Sequence, residues 1–465
     1  MGRVRVFLAL TVAALACAGA ATYARPAAAT SGWHEVTIQA SDATPLACAY
    51  IIPNASLPAG GFPGVILFHG LGDSHTAMEP YGSALAQLGF AALACDARGT
   101  GASGGKFGLD GPRDVQDAQD LFTWFAGQPD VSDTQIGALG LSLGGGEVWN
   151  AAAAGVPFKA IVPAITWTDL GQALNPNGVP KTGELAAFDQ AVPLSRWDPS
   201  LTPLQDLFDY DVNAVVDSIE AARSSRPKLH SLTVPTLLLQ GRHDFLFDLD
   251  QAVGAYKLLA GPKRLYLGDL GHAPAKNPAA EQPTYFTEVV GWFEHYLAGG
   301  PNVVGGGVEL AHDPWDGKTN VYKGLPATRR LSVNLPGTKQ LAGMGTVTRR
   351  VRPTGGPFET FGDGSLSIRY SNHRPDSKQI RATISVKGNK TPVTFGAARV
   401  ANAAGVIRIP LSNQAVLLPR GKRLVVTVGM TTADGVYAPI NGTAVAIKIG
   451  RITLNLSLLK RAVSK

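Results

Sequence analysis

Short apolar runs alternate with longer amphipathic stretches through the first 300 residues of this 465-residue chain. The runs Gly64 to Phe68, Ala91 to Cys95 and Ile136 to Leu141 are continuously apolar, which is typical of strands buried on both faces. The stretches Tyr81 to Leu88 and Val115 to Phe125 have the spacing of amphipathic helices. Strands of this kind separated by helices predict an α/β unit, a parallel sheet with helices on both sides.

The same pattern returns at Ala160 to Ile165, Thr236 to Gln240 and Arg264 to Leu267, but it is interrupted between Leu170 and Leu232. The interruption contains several prolines and aspartates and is only partly helical in pattern. We expect residues 171–232 to form a cap that lies above the sheet.

The charge balance changes near residue 300. Residues 1–300 contain 17 Lys and Arg against 28 Asp and Glu, whereas residues 301–465 contain 24 against 7. The change falls on Ala298 to Gly307, whose glycines and proline resist both helix and strand, so we place a domain boundary there. Beyond it, period-two alternation predicts an antiparallel, jelly-roll-like β-sandwich. We expect the positive field of this domain to attract anionic surfaces weakly.

Residues 1–29 predict an export signal. Two arginines precede the apolar run Val6 to Ala16, which is too short to span a bilayer, and small residues follow it. Cleavage after Ala20 and cleavage after Ala29 fit equally well, and both predict a secreted protein. A lipoprotein anchored through Cys17 is the alternative, but a leucine lies one residue nearer to the cysteine than the attachment motif requires. No later segment predicts a transmembrane helix or a nucleic-acid partner.

A glycine-flanked serine follows one of the predicted strands. The segment Gly140-Leu141-Ser142-Leu143-Gly144 comes directly after Ile136 to Leu139 and opens a helix near Gly145. A serine at such a turn is held in a strained conformation with its hydroxyl exposed, and the helix amino terminus favours negative charge beside it. We therefore predict that Ser142 is a nucleophile.

A serine hydroxyl is a weak nucleophile at neutral pH, so it needs a base and a group that orients the base. In the α/β-hydrolase fold, which has this kind of turn, the chain order is Ser, then Asp or Glu, then His. Asp244 follows the strand Thr236 to Gln240, and His272 lies in the loop after the next strand. This order predicts an α/β-hydrolase sheet with Ser142 as nucleophile, His272 as general base and Asp244 as the orienting acid.

Competing residues fit this arrangement less well. Of the nine histidines, only His272 both follows Asp244 and lies in a loop at the carboxyl edge of the sheet. His243 points to the opposite side if the chain is still extended there. Three other acids remain alternatives to Asp244: Asp248, Asp250 and Asp269.

The oxyanion that forms during acyl transfer needs preorganised donors. The backbone amide of Leu143 follows the nucleophile, and that of Leu71 follows Phe68-His69-Gly70 at the end of the third strand. We expect these two amides to form the oxyanion hole and His69 to have a structural role.

The glycine-containing segment Asp96 to Gly105 lacks the lysine of a phosphate-binding loop and the helix that would follow one. We interpret it as a structural turn, with Arg98 paired to a nearby carboxylate or carbonyl. The spacing of residues suggests no metal-ligand cluster, and acyl transfer of this kind needs no cofactor.

These residues resemble the X-prolyl dipeptidyl peptidase and cocaine esterase family of serine hydrolases over most of the mature chain. The matching segments are Asp96 to Gly105, Trp124 to Pro129, Gly137 to Ser142 and Gln240 to Asp244. The β-rich carboxyl-terminal part matches in architecture. The resemblance implies that Ser142, Asp244 and His272 occupy the catalytic positions of the family.

The chain departs from this family at two places. Leu143 stands where the family commonly has tyrosine, and the segment His69 to Gly72 offers no tyrosine hydroxyl to the oxyanion hole. These departures argue against proline-specific peptidase activity but not against acyl transfer. The prediction is a secreted serine hydrolase that cleaves an ester or amide of a small-molecule or peptide substrate through an acyl-enzyme.

Two other functions stay open. An X-prolyl dipeptidyl peptidase would need a cap carboxylate for the ammonium group of its substrate, and the candidates are Glu184, Asp189 and Asp206. A binding protein for an anionic cell-surface polymer, built on an inactive hydrolase scaffold, belongs to a different class. The complete triad argues against the binding protein.

Cys48 and Cys95 are the only cysteines left once the signal containing Cys17 is removed. They lie in two predicted strands that are expected to be antiparallel neighbours in an α/β-hydrolase. We expect them to form a disulfide in an oxidising compartment. Two buried free thiols are the alternative.

Overall fold

The computed structural model describes residues 29–30, 32–209, 211–342, 345–371, 379–429, 436–437 and 446–461. Of the predicted export signal, only Ala29 is among them, and it pairs with Asn54 in a two-residue bridge. Cys17 and the rest of the signal lie outside the described residues.

A ten-stranded sheet forms the centre of the first part of the chain. In chain order the strands are β1 (His34–Gln39), β2 (Pro45–Ile51), β3 (Phe62–Phe68), β4 (Ala91–Cys95), β5 (Val131–Leu141), β6 (Ile161–Ala164), β7 (Thr236–Gly241), β8 (Lys263–Gly268), β9 (Gly307–Ala311) and β10 (Thr319–Tyr322). Their order in the sheet is β10-β9-β8-β7-β6-β5-β3-β4-β2-β1. Strands β3 to β9 run parallel, while β2 and β10 are antiparallel to their neighbours.

Helices cover both faces of this sheet. Alternate residues of β3 enter different cores: Ile66 packs with α2 (Pro112–Ala126), α3 (Leu143–Ala154) and α7 (Leu249–Leu258), whereas Val65 and Leu67 pack with α1 (Glu79–Gln87) and α8 (Gln282–Ala298). Burial on both faces explains why the strand sequences are continuously apolar instead of alternating.

The insertion between β6 and β7 contains α4 (Leu170–Leu174), α5 (Thr182–Ala191) and α6 (Ala214–Ala221), together with four 3₁₀ helices. The 3₁₀ helices are Pro176–Gly178, Leu194–Arg196, Pro199–Asp209 and Arg226–Ser231; a further one, His75–Ala77, precedes α1. Most of the buried apolar side chains of the insertion form one cluster with Leu143 and Phe247. The insertion therefore lies over the edge of the sheet where Ser142 is found.

The second part of the chain is built from antiparallel sheets. The strands are β11 (Thr328–Leu335), β12 (Lys339–Ala342), β13 (Thr346–Val351), β14 (Phe358–Glu359), β15 (Gly364–Ser371), β16 (Gln379–Val386), β17 (Thr394–Arg399), β18 (Gly405–Leu411), β19 (Leu417–Leu418), β20 (Leu424–Gly429) and β21 (Ala446–Leu459). One sheet has the order β11-β21-β15-β18, with β12 also paired to β21; another has the order β13-β20-β16-β17; and β14 pairs with β19. Side chains from the two larger sheets share a single apolar core, which makes the unit a sandwich. The predicted fold class, an α/β-hydrolase followed by an antiparallel β-sandwich, is confirmed.

The boundary predicted at residue 300 is too early. Strand β9 pairs in parallel with β8, and β10 pairs with β9, so the first sheet continues to Tyr322. The glycine-containing stretch is thus the connection from α8 into β9, and not a linker between domains. The pairing partner of β9 lies more than thirty residues earlier, at Arg264 to Leu267. The local pattern of glycine and proline near residue 300 gives no sign of this pairing.

Strands β2 and β4 are antiparallel neighbours, and Cys48 stands opposite Cys95 in their register. The two Cα atoms are 4.0 Å apart, and a disulfide joins the side chains. No helix within the described ranges is both long enough and apolar enough to cross a membrane.

Candidate active site

Ser142 lies alone between the end of β5 at Leu141 and the start of α3 at Leu143. Its backbone has φ 54° and ψ −114°, a conformation that a residue with a side chain rarely adopts. The turn needs glycine on both sides. A Cβ atom at Gly140 would lie 2.0 Å from the carbonyl oxygen of Gly144, and one at Gly144 would lie 2.2 Å from that of Phe68. The flanking glycines thus allow the close approach that puts Ser142 in this strained conformation.

A continuous hydrogen-bond chain starts at Ser142. Its Oγ lies 2.8 Å from Nε2 of His272, and Nδ1 of His272 lies 2.8 Å from Oδ2 of Asp244. Three backbone amides also donate to the fully buried Asp244 carboxylate: those of His272 at 3.1 Å, Leu246 at 3.0 Å and Phe247 at 2.9 Å. The structure brings together all three residues that the sequence assigned to the triad.

The pKa of His272 is set by opposing effects. Burial lowers it, but the charge of Asp244 and the hydrogen bond to its carboxylate raise it, and the charge of Glu184 adds to the rise. The net result is a pKa above the ordinary 6.5. An imidazole in this environment is a stronger base than a free one, which suits it to take a proton from Ser142.

The two backbone amides predicted as oxyanion donors are available. Within the described ranges, neither the Leu71 amide nor the Leu143 amide donates to a protein acceptor. A Cβ atom at Gly70 would be 3.8 Å from Cβ of Ser142, so the chain just before Leu71 passes directly beside the nucleophile. The Gly144 amide donates to the carbonyl of His69 at 3.0 Å and ties the two turns together.

His69 is held as a neutral imidazole behind this site. Its Nε2 accepts from the Ala97 amide at 2.9 Å, so the proton is on Nδ1, which lies 2.7 Å from the carbonyl oxygen of Gly70. Burial lowers the pKa of His69 and favours the same neutral form. Its contacts fix the chain before Leu71 and support the predicted structural role.

The competing acids have other partners. Asp248 caps α7 and accepts from Ser412 and Asn413, while Asp250 accepts from Gln172. Asp269 contacts His243, whose other ring nitrogen faces Asp313, so both nitrogens of His243 have partners outside the Ser142 chain. Arg98 is paired with Asp117 through two hydrogen bonds of 2.7 and 2.6 Å, as expected for a structural turn.

The loop that carries Asp244 depends on residues that the sequence reading did not identify. Gln414 donates to the carbonyl of Asp244 at 2.7 Å, and the buried Lys181 donates to the carbonyls of Phe245 at 2.9 Å and Leu246 at 2.8 Å. Arg242 is fully buried and pairs with Glu359. These partners are 64 to 170 residues away in the chain, so no local motif could have indicated them.

The three cap carboxylates proposed for a substrate ammonium group differ in their surroundings. Asp206 accepts a hydrogen bond from Asn213 at 2.9 Å. Glu184 is close enough to His272 for its charge to raise the pKa of the imidazole. The side chain of Asp189 lies outside the described part of the structure.

Known proteins share both parts of this architecture. A CocE/NonD family hydrolase from Staphylococcus aureus superposes with a TM-score of 0.71 at 16% identity, over 91% of this chain and 93% of its own. An α-amino acid ester hydrolase has the same TM-score at 12% identity, over 97% of this chain and 100% of its own. Likeness at such low identity shows a common fold.

In sequence, the chain is 31% identical over 152 residues to an uncharacterised 31.7 kDa protein from the traX-finO intergenic region of Escherichia coli. That match covers 32% of this chain and spans half the length of the relative. The model of the X-Pro dipeptidyl-peptidase (S15) family matches residues 20–274, more than half of the chain, and that range contains Ser142, Asp244 and His272. The chain therefore belongs to the X-Pro dipeptidyl-peptidase (S15) family.

Proposed function

We propose that this protein hydrolyses carboxylic esters, and amides of similar size, through an acyl-enzyme on Ser142. The observation that carries the proposal is the unbroken chain from Ser142 Oγ through His272 to the buried carboxylate of Asp244, with the serine in a strained turn at a helix amino terminus. Binding alone does not require a base of raised pKa beside a hydroxyl. An inactive scaffold therefore fits the site less well than an enzyme does.

In the first half of the reaction, Ser142 Oγ attacks the substrate carbonyl carbon while its proton passes to Nε2 of His272. The carbonyl oxygen becomes an oxyanion, to which the amides of Leu71 and Leu143 donate. The intermediate then expels the alcohol or amine, which takes the proton from His272. Water, deprotonated by His272, attacks the acyl-enzyme in the same way and releases the carboxylic acid. Asp244 stabilises the imidazolium at each proton transfer.

The cap supports a preference for apolar acyl groups. The apolar cluster shared by the cap and the chain leading into it places Trp167, Leu170 and Phe188 in the same core as Leu143, beside the nucleophile. A second candidate function, cleavage after an X-Pro dipeptide, is favoured by the influence of Glu184 on His272, because a carboxylate there offers a partner to a substrate ammonium. The absence of a tyrosine in His69 to Gly72 argues against it.

One assay separates these two functions. Hydrolysis of p-nitrophenyl acetate and butyrate is compared with that of an alanyl-proline p-nitroanilide, for the wild type and for Glu184→Gln. We expect the esters to have the higher kcat/KM and Glu184→Gln to leave them within about threefold. A preference for the anilide that Glu184→Gln abolishes would instead establish the dipeptidyl peptidase. The absence of both activities from a protein with a native circular dichroism spectrum would refute the proposal.

Export from the cytoplasm and weak attachment of the basic carboxyl-terminal part to anionic surfaces stay predictions from the sequence. Attachment is tested by retention on an anionic cell-wall polymer at low and at about 0.5 M salt, because binding through charge weakens as screening increases.

A further inference from the structure

A second cluster of chemically versatile side chains lies outside the Ser142 site. Glu35 on β1, His75 in the 3₁₀ helix His75–Ala77 and Glu79 at the start of α1 each offer one ligand atom, and these atoms all lie within 4.8 Å of one another. The three residues are spread over forty-five positions of sequence, so no spacing motif predicts them.

The imidazole of His75 is oriented toward the two glutamates. Its Nδ1 lies 2.8 Å from Oδ1 of Asp96, whose carboxylate also accepts from the amides of His75 and Ala102, each at 2.7 Å. A carboxylate that accepts the Nδ1 proton leaves the lone pair of Nε2 free, which is the arrangement found behind metal-binding histidines. His75 is 8% exposed, and Nε2 makes no hydrogen bond within the described ranges.

The position of Nε2 calls for a cation. It lies 3.5 Å from Oε2 of Glu35. The lone pair of Nε2 and the carboxylate oxygen repel each other unless a positive charge lies between them. Neither glutamate pairs with a lysine or arginine in the part of the chain that the structure describes. With Asp96, three carboxylates surround one imidazole. A proton on Nε2 would offset one negative charge, whereas a divalent cation would offset two.

We propose that Glu35, His75 and Glu79 bind a divalent transition-metal ion, with zinc as the best fit and manganese next. One imidazole nitrogen and two carboxylate oxygens form a ligand set that both ions accept, with water at the remaining positions. Zinc bonds of about 2.0–2.2 Å require ligand atoms somewhat closer together than 4.8 Å. Glu35 can adjust its position, because its side chain is 71% exposed.

The role of the ion is structural. His75 ends the segment that starts at His69 and supplies the Leu71 amide to the oxyanion hole, and Asp96 anchors that segment to the end of β4. An ion that joins β1, this segment and α1 would fix the position of all three.

The test is isothermal titration of untagged, EDTA-treated full chain with ZnCl₂ and with MnCl₂. We expect one equivalent of zinc to bind with micromolar or tighter affinity, and Glu79→Gln and Glu35→Gln each to weaken it at least about tenfold. Asp133→Asn removes an exposed carboxylate elsewhere on the sheet and should leave binding unchanged. Circular dichroism establishes that each variant is folded. Because Glu35 is exposed, we expect Glu35→Gln to disturb the fold less than Glu79→Gln does.

A second readout is the thermal midpoint of unfolding, which zinc should raise in the wild type and in Asp133→Asn but not in Glu35→Gln or Glu79→Gln. Failure of the wild type to bind either ion would overturn the proposal. Binding that persists unchanged in both glutamate variants would also overturn it.

Discussion

The turn at Ser142 and the loop at Asp244 meet in one hydrogen-bond chain, but they are held in place by different means. The Ser142 turn is shaped by its immediate neighbours: Gly140 and Gly144 permit the close approach, and the amides of Gly145 and Gly146 donate to the Ser142 carbonyl at 3.0 and 3.1 Å. The hydrogen bonds that reach it from further along the chain, from the Ser142 amide to the Ala164 carbonyl at 2.9 Å and from the Thr166 hydroxyl to the Ser142 carbonyl at 2.7 Å, also lie within the first domain. The Asp244 loop is fixed from a distance, by Gln414 of the β-sandwich and by Lys181 of the cap.

This difference gives the carboxyl-terminal sandwich a part in orienting the catalytic base. Gln414 contacts the main chain of Asp244, and the backbone of Ala415 accepts two hydrogen bonds from Arg242, at 3.1 and 2.9 Å. Phe245 packs on Phe395 of the sandwich with ring centroids 4.7 Å apart. The nucleophile is thus a local feature of the first domain, while the acid is positioned by both domains together.

Of the changes at the Asp244 loop, Asp244→Asn should lower kcat the most. An asparagine cannot hold His272 in the same tautomer or stabilise its positive charge, so we expect kcat for a short acyl ester to fall by about 10³- to 10⁴-fold. Ester hydrolysis at saturating substrate measures it, with Asp248→Asn as the matched control. An equal loss in the control would mean that the wrong acid has been assigned.

The same variant tests the pKa of His272. The base must be unprotonated to act, so kcat/KM of the wild type should rise with pH through a midpoint above 6.5. In Asp244→Asn the charge and the hydrogen bond that raise this pKa are lost, whereas the burial that lowers it remains. The midpoint should therefore move to lower pH. A midpoint that stays in place would contradict the stated cause of the shift.

Gly144→Ala tests how local the Ser142 turn is. The added methyl group would meet the Phe68 carbonyl, so the turn must shift and take the Leu143 amide with it. Loss of one oxyanion donor costs about 10²- to 10³-fold in kcat, and the overpacking costs about 1–3 kcal/mol of stability. Gly127→Ala, which adds a methyl group in ordinary contact, is the control. Unchanged kcat in Gly144→Ala would refute the role given to this turn.

Gln414→Ala should lower kcat the least, and it tests most directly whether the sandwich positions the acid. It leaves the buried Asp244 carbonyl without its donor, which costs about 1–3 kcal/mol of stability. Because Asp244 keeps its carboxylate bonds, we expect a decrease in kcat of about tenfold. Gln340→Ala, at an exposed glutamine of the same domain, is the control. If stability falls but kcat is unchanged, the sandwich supports folding without positioning the acid.

The comparison also explains what the sequence could predict. Ser142 is identifiable because a glycine–serine turn between a strand and a helix is encoded by adjacent residues. Chain order and loop position then favour Asp244 and His272, but they leave Asp248, Asp250 and Asp269 as alternatives to Asp244. Gln414 and Lys181 act on the acid loop across 170 and 64 residues, and polar side chains at such distances carry no local pattern. Strand β9 was missed for the same reason, because its parallel partner is distant.

Labelling with a fluorophosphonate tests the central claim, that Ser142 is a nucleophile activated by His272 and Asp244. The folded protein is incubated with the probe, digested and examined by peptide mass spectrometry. We predict a single adduct on the peptide that contains Ser142, absent in Ser142→Ala and formed far more slowly in Asp244→Asn. A natively folded wild type that carries no adduct, or an adduct on another serine that Ser142→Ala leaves intact, would contradict the account.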